Sequence, residues 1–237
     1  QKALLFFVVI AWSDDFTGAV IDYGAWPDQH RREFSLADAN PTIQSMFPTA
    51  GFEGALYAAL TSLTDDYLGR EWTREDGAML KIERALVDAN WGQSTDIVYQ
   101  FCRQSAHAGV ILPSHGRYVG ASSKPMTEYR KQPGDRLGFN WMMPNVAGKR
   151  AIRHVIYDSN YWKSFVHARL AVALADKGSL TLYGRIPGVH QLLAEHLTAE
   201  YRVKTQGRGR TVDEWKLKPQ SHNNHWLDCC AGCAVCA

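Results

Sequence analysis

Apolar residues along this chain fall into short runs separated by turn-forming polar residues, a pattern typical of strands. The stretch "KALLFFVVIAWS" is rich in β-branched and aromatic residues, and "TGAVIDYGAWP" has a similar character after the polar turn "DDF". Two such runs joined by a short turn predict an antiparallel hairpin. The first apolar run, residues 3–12, is too short to cross a bilayer as a helix, so we expect no membrane segment.

A strand–helix–strand unit is predicted in residues 81–116. The stretch "GFEGALYAALTSLTDDYL" predicts a helix ahead of it, and the apolar residues 85–87 predict a strand that ends at Asp88. A helix follows in "QSTDIVYQFCRQSA", where Ser94 or Thr95 can cap the first turn, and "AGVILPSHG" predicts the next buried strand. Open α/β sheets place ligands beyond the carboxyl ends of their strands, which is where Asp88 lies.

The second half of the chain opens with a long loop and continues with shorter elements. Residues 114–150 are rich in Gly, Pro, Ser and basic residues, and so long a loop is usually functional or partly built of hairpin. After it, "IRHVIYDSN" predicts a strand, "YWKSFVHARLAVAL" a helix and "GSLTLYG" a short strand. The stretch "PGVHQLLAEHLTAEYRV" predicts a helix with Pro187 near its start, "TQGRGRTVDEWKLKP" a hairpin and "HWLDCCAGCAVCA" a final helix.

The composition is that of a folded globular protein. The 237 residues carry a formal net charge of +2, with 46% hydrophobic and 21% charged residues, so disorder is not expected. The net charge is too small to indicate a nucleic-acid partner by itself. Four of the five cysteines crowd into the last helix, so no disulfide framework can be read and a reducing compartment is expected.

The cysteine-rich tail has two interpretations. The C-x2-C spacings among Cys229, Cys230, Cys233 and Cys236 are compatible with zinc or an iron–sulfur cluster. Structural zinc sites usually combine two such pairs from separate parts of a chain, and the sequence has no second pair. Cys229, Cys233 and Cys236 also follow the i, i+4, i+7 spacing of one helix face, where free cysteine packs as a small hydrophobe. The pattern therefore favours packing over metal binding.

Asp88 and Asp228 are the strongest candidates for functional carboxylates. Asp228 opens the last predicted helix among apolar neighbours, where a carboxylate is costly unless it is paired or binds a metal. Each acid also has an ordinary explanation, because Asp228 suits a helix N-terminus and Asp88 can start a turn. If the two meet, they suit Mg²⁺ or Mn²⁺ and two-metal phosphodiester cleavage. Asp22 and Asp158 are further strand-edge acids with a weaker case.

Basic residues concentrate in two Gly-containing segments. Lys124 belongs to the long loop, and Arg208 and Arg210 lie in the predicted turn "GRGR". Such residues on flexible turns suit phosphate backbones, although an ordinary solvated surface has the same pattern. The phosphate-loop signature G-x-x-x-x-G-K-[ST] is absent from the sequence, so it contains no ATPase motif.

Six segments occur in an order that resembles one known family. They are "IDYGAWPDQ", "VDANWGQSTDIVYQFCRQS", "PSHGRYVGASSKP", "YDSNYWKSF", "GRGRTVDEWK" and "NNHWLDCCAGCAV". In this order they resemble the C-terminal nuclease domain of phage terminase large subunits of the lambda-like (GpA) type. The resemblance covers nearly the whole chain, and "VDANWG" and "NHWLDC" weigh most.

The resemblance implies a single nuclease domain over residues 1–237, with an α/β, ribonuclease-H-like fold in which a mixed sheet is flanked by helices. It implies a metal-dependent endonuclease that cuts concatemeric viral DNA during packaging, in the cytoplasm of a bacterial host. The implied partners are double-stranded DNA, the terminase small subunit and the portal protein, with no membrane. The alternative is a non-catalytic DNA- or partner-binding module of the same fold.

The resemblance also implies roles for particular residues. Asp88 and Asp228 would be catalytic and would hold two Mg²⁺ or Mn²⁺ ions. Helical spacing, rather than the resemblance, places His225 one turn before Asp228, where we expect it to support that acid. The residues expected to contact DNA are Lys163, near the scissile phosphate, and Lys124, Arg208 and Arg210.

The family's first acid lies on its first strand, in a D-x-Q-like motif whose end Gln1 resembles. That strand with its acid, and the family's ATPase domain, are therefore expected upstream of this chain. A three-acid site would hold two of its acids here, which leaves the activity and the folding of this chain alone as open questions.

Overall fold

The architecture is mixed α/β. The structure is a computed structural model that describes residues 3–90, 92–146, 152–184, 186, 188–221 and 223–237, apart from the side chain of residue 93. The strands are β1 (Leu5–Trp12), β2 (Gly18–Trp26), β3 (Trp72–Thr73), β4 (Met79–Leu80), β5 (Ala85–Asp88), β6 (Ile111–Arg117), β7 (Arg136–Gly138), β8 (Trp141–Met143), β9 (Val155–Asp158), β10 (Leu180–Leu182), β11 (Glu200–Gly207) and β12 (Arg210–Leu217). The helices are α1 (Ile43–Met46), α2 (Phe52–Leu68), α3 (Thr95–Gln104), α4 (Ser159–Leu170), α5 (Gln191–Leu197) and α6 (His225–Cys236).

Two sheets form the frame of the molecule. Strands β1 and β2 form the predicted antiparallel hairpin, and β10 joins β2 in parallel. The second sheet has the order β5-β6-β9-β8-β7, in which β5, β6 and β9 are parallel and the last two strands are added by antiparallel pairing. The pairing of β5 with β6 confirms the predicted strand–helix–strand unit, and the mixed sheet flanked by helices confirms the α/β class.

Helices cover both faces of these sheets. One core lies where α4, α5 and α6 pack on the sheets, and it includes Val166, Leu193 and Leu227. The other core holds residues of α2 and α3, among them Leu56 and Phe101. Strand β1 serves both cores, because successive side chains of a strand point to opposite faces.

Trp226 anchors α6 in the first core. Its side chain is 2% exposed, and its ring meets those of Phe6 and Tyr23 edge-on at centroid distances of 5.5 and 5.2 Å. The indole Nε1–H donates to the backbone oxygen of Gly24 at 2.9 Å. A buried indole therefore has its polar atom satisfied by β2, which joins the last helix to the first hairpin.

A cavity of about 1120 Å³ separates the two sheets. Its walls are β1 and β5, which are edge strands of their respective sheets in the part of the chain that the structure describes. Residues of α2 line one side and residues of α6 line the other. Arg84, just before β5, donates to the backbone oxygen of Cys236 at 2.9 Å, so the end of α6 is held against the start of β5.

The cysteines of α6 lie in two environments, and the prediction that one helix face packs in the core is wrong, because that face lines the cavity. Cys230 is 1% exposed and belongs to the first core. Cys229, Cys233 and Cys236 are half-buried because they line the cavity rather than the core. The thiols of Cys229 and Cys233 donate to the backbone oxygens of Phe6 and Val8 at 3.5 and 3.4 Å, so these sulfurs contact β1.

Other parts of the second half differ from the predictions or refine them. The predicted helix over "PGVHQLLAEHLTAEYRV" is wrong beyond Leu197, because Glu200 and the residues after it pair with β12 as β11. Pro187 lies outside the described residues. The long loop contains the hairpin β7–β8. Residues 147–150 of that loop also lie outside the residues that the structure describes. None of the described helices has the length and apolar character needed to span a membrane.

Replacing Trp226 by alanine should destabilise the fold strongly, because it removes a buried ring and leaves the Gly24 oxygen without its donor. We expect a loss of about 3–5 kcal/mol in the free energy of unfolding, measured by urea denaturation. The control Leu174→Ala removes a side chain that is 81% exposed and should change that free energy by less than about 0.5 kcal/mol. Equal effects of the two substitutions would contradict the anchoring role.

Candidate active site

Asp88 lies at the carboxyl end of β5, as the sequence predicts. In the parallel register it stands opposite Ser114 of β6. The backbone N–H of Asn90 donates to its Oδ1 at 3.1 Å. The hydroxyl of Thr95 donates to the backbone oxygen of Ala89 at 2.8 Å, which ties the turn after β5 to the first turn of α3. The turn therefore holds the Asp88 carboxylate at the cavity.

Asp228 lies in the first turn of α6 and lines the same cavity as Asp88. The structure therefore brings the two predicted acids to one site. Asp88 is exposed at its surface, but the protein around the carboxylate displaces part of its hydration and raises its pKa; the Asn90 N–H opposes this shift, and the charge of Asp228 adds to it. Tyr157 lies near both acids, because burial first and then the charges of Asp228 and Asp88 raise the pKa of its phenol.

Asp228 is partly exposed where it lines the cavity. Its side chain is 49% exposed, yet the protein around the cavity replaces most of the bulk water near the carboxylate. This loss of hydration raises the pKa of Asp228, and the neighbouring ammonium of Lys163 lowers it in part. The two acids thus form a partly desolvated like-charge pair, an arrangement common at functional sites.

Lys163 is the closest cation to this pair among the contacts described. Its Nζ lies 2.8 Å from Oδ1 of Asp228 and 2.6 Å from Oε1 of Glu200. The amide of Asn224 also donates to Oε1 of Glu200. Burial lowers the pKa of Lys163, but the carboxylates of Asp228 and Glu200 more than offset it, so the net shift is upward. The predicted contact of Lys163 with a scissile phosphate stays a prediction.

Glu200 is a site residue that the sequence interpretation missed. Its side chain is 5% exposed, at the first position of β11. The stretch "TAEYRV" is predicted as the end of a helix, and no local pattern distinguishes Glu200 from the other polar residues of this stretch.

A hydrogen-bonded chain supports the turn that holds Asp88. The hydroxyl of Tyr99 and Nε2 of His115 lie 2.9 Å apart, and Nδ1 of His115 lies 2.8 Å from Oδ1 of Asn90. The amide nitrogen of Asn90 donates to the backbone oxygen of Gly116 at 3.2 Å. These contacts connect α3 and β6 to the residue whose N–H bonds Asp88. Sequence reasoning did not single out His115 or Asn90.

Three of the predicted basic residues form a second group, on the β11–β12 hairpin and the loop beside it. Arg210 donates to the backbone oxygens of Gly120 and Ser123 at 2.8 and 2.7 Å, so the hairpin is tied to the residue next to Lys124. Arg208 pairs with Glu128 at 3.6 Å. Lys124 is exposed, and Arg208 is 53% exposed.

The weaker candidates have structural partners. Asp22 pairs with Arg70 at 2.9 Å. Asp158 caps α4 by accepting from the backbone N–H groups of Asn160 and Tyr161. His225 stacks on Phe6 at a centroid distance of 4.4 Å, and burial lowers its pKa to about 4. Its predicted support of Asp228 is not among these contacts and stays a prediction.

The donor set fits a hard divalent cation held by few protein ligands. Among the described residues, no group of three His, Cys, Asp or Glu side chains is placed to hold a metal ion. Mg²⁺ usually keeps several waters and takes one or two carboxylates together with substrate phosphates. Asp88 and Asp228 supply two carboxylates on one cavity, and Asp88 accepts a hydrogen bond from a backbone N–H. The pair is compatible with that mode of binding.

The family model described as the terminase large subunit gpA, endonuclease domain, matches residues 1–237. No curated protein and no solved structure gives a significant match.

Asp158 should make stability depend on pH. Burial raises its pKa to about 6, although two backbone N–H groups oppose the shift. Because the folded-state pKa lies above the ordinary value near 4, its contribution to stability is full below about pH 4 and is lost as the pH rises through about 6. The free energy of unfolding should therefore fall by up to about 3 kcal/mol over this range, relative to Asp158→Asn, which keeps a capping oxygen.

Urea denaturation between pH 4 and pH 8 measures this difference. Asp66→Asn is the matched control, because Asp66 is exposed on α2 and its replacement removes the same formal charge. Parallel pH profiles for the wild type and Asp158→Asn would show that the carboxyl does not titrate in this window.

Proposed function

Because the chain belongs to the endonuclease domain family of the terminase large subunit gpA, we propose that it cleaves DNA phosphodiester bonds in a reaction that depends on a divalent cation. The family supports a nuclease role in genome packaging. The observation that carries the proposed chemistry is the placement of Asp88 and Asp228 on the walls of one cavity, with the charge of Asp228 raising the pKa of Asp88.

Asp88 and Asp228 would hold the divalent cations of a two-metal site, Mg²⁺ or Mn²⁺. When bound, such a cation activates water as a nucleophile and stabilises the leaving oxygen. The residues of this chain orient the carboxylates: the Asn90 N–H engages Oδ1 of Asp88, and Lys163 engages Oδ1 of Asp228. One contact holds Asp88 at the end of β5 and the other holds Asp228 on α6, and carboxylates held in this way would preorganise the site.

We also propose that a further strand, carrying a third acid, enters the cavity between β1 and β5. Two edge strands face this space, and apolar residues of α2 such as Leu60 and Leu63 line it. A strand hydrogen-bonded to both edges would join the two sheets into one and satisfy backbone groups on each side. Since Asp88 ends one of these edges, an acid near the end of the added strand would meet it.

Double-stranded DNA is the proposed substrate and partner. Lys124 and Arg208 are both exposed, and the hairpin that carries Arg208 is hydrogen-bonded to the loop that carries Lys124. The exposed ion pair between Arg208 and Glu128 is weak, so Arg208 can exchange Glu128 for a DNA phosphate. The terminase small subunit and the portal protein are proposed partners of the whole large subunit, and the cytoplasm of a bacterial host is the proposed location.

A non-catalytic DNA- or partner-binding module is the second candidate. The observation that favours it is that no group of three metal-binding side chains occurs among the described residues. Such a module would bind DNA in a salt-dependent manner and would not cleave it.

Cleavage by the full-length large subunit should require both acids. In a plasmid-nicking assay with Mn²⁺, we expect Asp88→Asn and Asp228→Asn each to lower the rate by at least about 100-fold, because each removes a cation ligand. Asp66→Asn, an exposed acid on α2, should cleave as the wild type does. Wild-type rates in both site variants would reject the assignment of Asp88 and Asp228. DNA binding without any cleavage by the wild type would favour the second candidate.

DNA affinity should depend on salt through the basic group. We expect Lys124→Ala and Arg208→Ala each to weaken binding and to reduce the slope of log affinity against log salt by about 1, as for one lost phosphate contact. Fluorescence anisotropy at several salt concentrations gives this slope. Lys177→Ala is the control, because Lys177 is 80% exposed and lies near Asp15 of the first hairpin. An equal loss of slope in the control would point to general charge rather than to this group.

A further inference from the structure

The ammonium of Lys163 already occupies a cation position in the candidate site. It lies between Oε1 of Glu200 at 2.6 Å and Oδ1 of Asp228 at 2.8 Å. The side chains of Lys163 and Glu200 are 10% and 5% exposed, and Asn224 donates to the same Glu200 oxygen. This is a closed ion-pair network in which one internal cation bridges two carboxylates.

The position of this cation relative to Asp228 matters for metal chemistry. Two-metal sites hold their ions about 3.5–4 Å apart and stabilise both the attacking and the leaving oxygen. A carboxylate that serves two cations at once can do so because it has two oxygens. Asp228 meets one cation, Lys163, through Oδ1, and it lines the cavity that also contains Asp88.

On the basis of the proposed function, we propose that Lys163 stands in for a second metal ion, so that this chain binds one divalent cation at Asp88 and Asp228 rather than two. Lys163 is a positioning residue in this arrangement, and Glu200 holds it in place. The lysine head group is a compact charge with three donors, which suits it to bridge two carboxylates.

The burial of the network explains why a metal ion would not simply displace the lysine. A divalent cation between Glu200 and Asp228 would have to expel the ammonium, which would then lose both carboxylate partners while buried. Leaving one charge of a buried pair without its partner is strongly destabilising. With Lys163 on Oδ1 of Asp228, the other carboxylate oxygen of Asp228 is the one left for an added cation.

Counting Mn²⁺ ions bound to the 237-residue chain tests this inference without any measurement of cleavage. Free Mn²⁺ is followed by electron paramagnetic resonance during a titration. We expect one ion for the wild type and for Lys163→Arg, which keeps the positive charge. Lys163→Gln frees two carboxylates and should bind two ions, while the double variant Lys163→Gln with Glu200→Gln should return to one. Two ions in the wild type, or one ion in a folded Lys163→Gln, would overturn the inference.

The single variant Glu200→Gln covers the case in which Lys163→Gln does not fold. It leaves the charge of Lys163 uncompensated beside Asp228, so the affinity for the one Mn²⁺ should fall by roughly tenfold or more. An unchanged affinity in this variant would also overturn the inference.

Measuring both cleavage and the number of bound Mn²⁺ ions distinguishes failure of this inference from failure of the proposed function. Cleavage by the full-length subunit that needs Mn²⁺, together with two ions per wild-type chain, would reject the inference and keep the function. If one ion binds per chain and the full-length subunit does not cleave DNA, the proposed nuclease function is rejected and the proposal of a single bound cation is retained. A chain that binds no Mn²⁺ would contradict both.

Discussion

The packing of helix α6 against β1 and α4 is the constraint on which the rest of the structure depends. Trp226 fixes the first turn of this helix by filling the core and donating to Gly24. The small residues that follow, such as Ala231 and Ala234, are buried and allow close approach to neighbouring elements. The same turn carries Asp228, so the interaction that anchors the helix also sets the place of one acid. The far end of α6 lies beside the start of β5, whose other end carries Asp88.

The electrostatics of the site follow from this packing and are unequal for the two acids. Asp228 has a cationic partner in Lys163, which Glu200 holds from the other side. Asp88 has a backbone N–H donor and the repulsion of Asp228, so its negative charge is less well compensated. A partly desolvated carboxylate with little compensation attracts a cation, and here it faces the cavity. This inequality is the reason for proposing one divalent cation, with the lysine supplying the other positive charge.

Local patterns in the sequence predicted the elements better than they predicted the contacts between them. The apolar run before Asp88 and the turn-separated hairpins are properties of a few adjacent residues, and they were confirmed. Glu200 was missed because only two residues separate the end of α5 from β11, and the first residues of β11 resemble a continuation of that helix. Its pairing with Lys163 joins residues 37 positions apart, and no local pattern reports such a contact. The proximity of Asp88 and Asp228 likewise depends on the packing of α6. Their positions at a strand end and a helix start marked both acids as candidates, and the family resemblance added their expected catalytic roles.

The central claim is that Asp88 and Asp228 bind a single divalent cation beside the Lys163 network. Anomalous diffraction from crystals of this chain soaked in Mn²⁺ measures it most directly. We expect one strong anomalous peak in the cavity, at about 2.0–2.6 Å from carboxylate oxygens of Asp88 and Asp228. The ammonium of Lys163 should still lie between Asp228 and Glu200. A peak at the cysteines of α6, a second peak in place of the Lys163 ammonium, or no peak near Asp88 would contradict it.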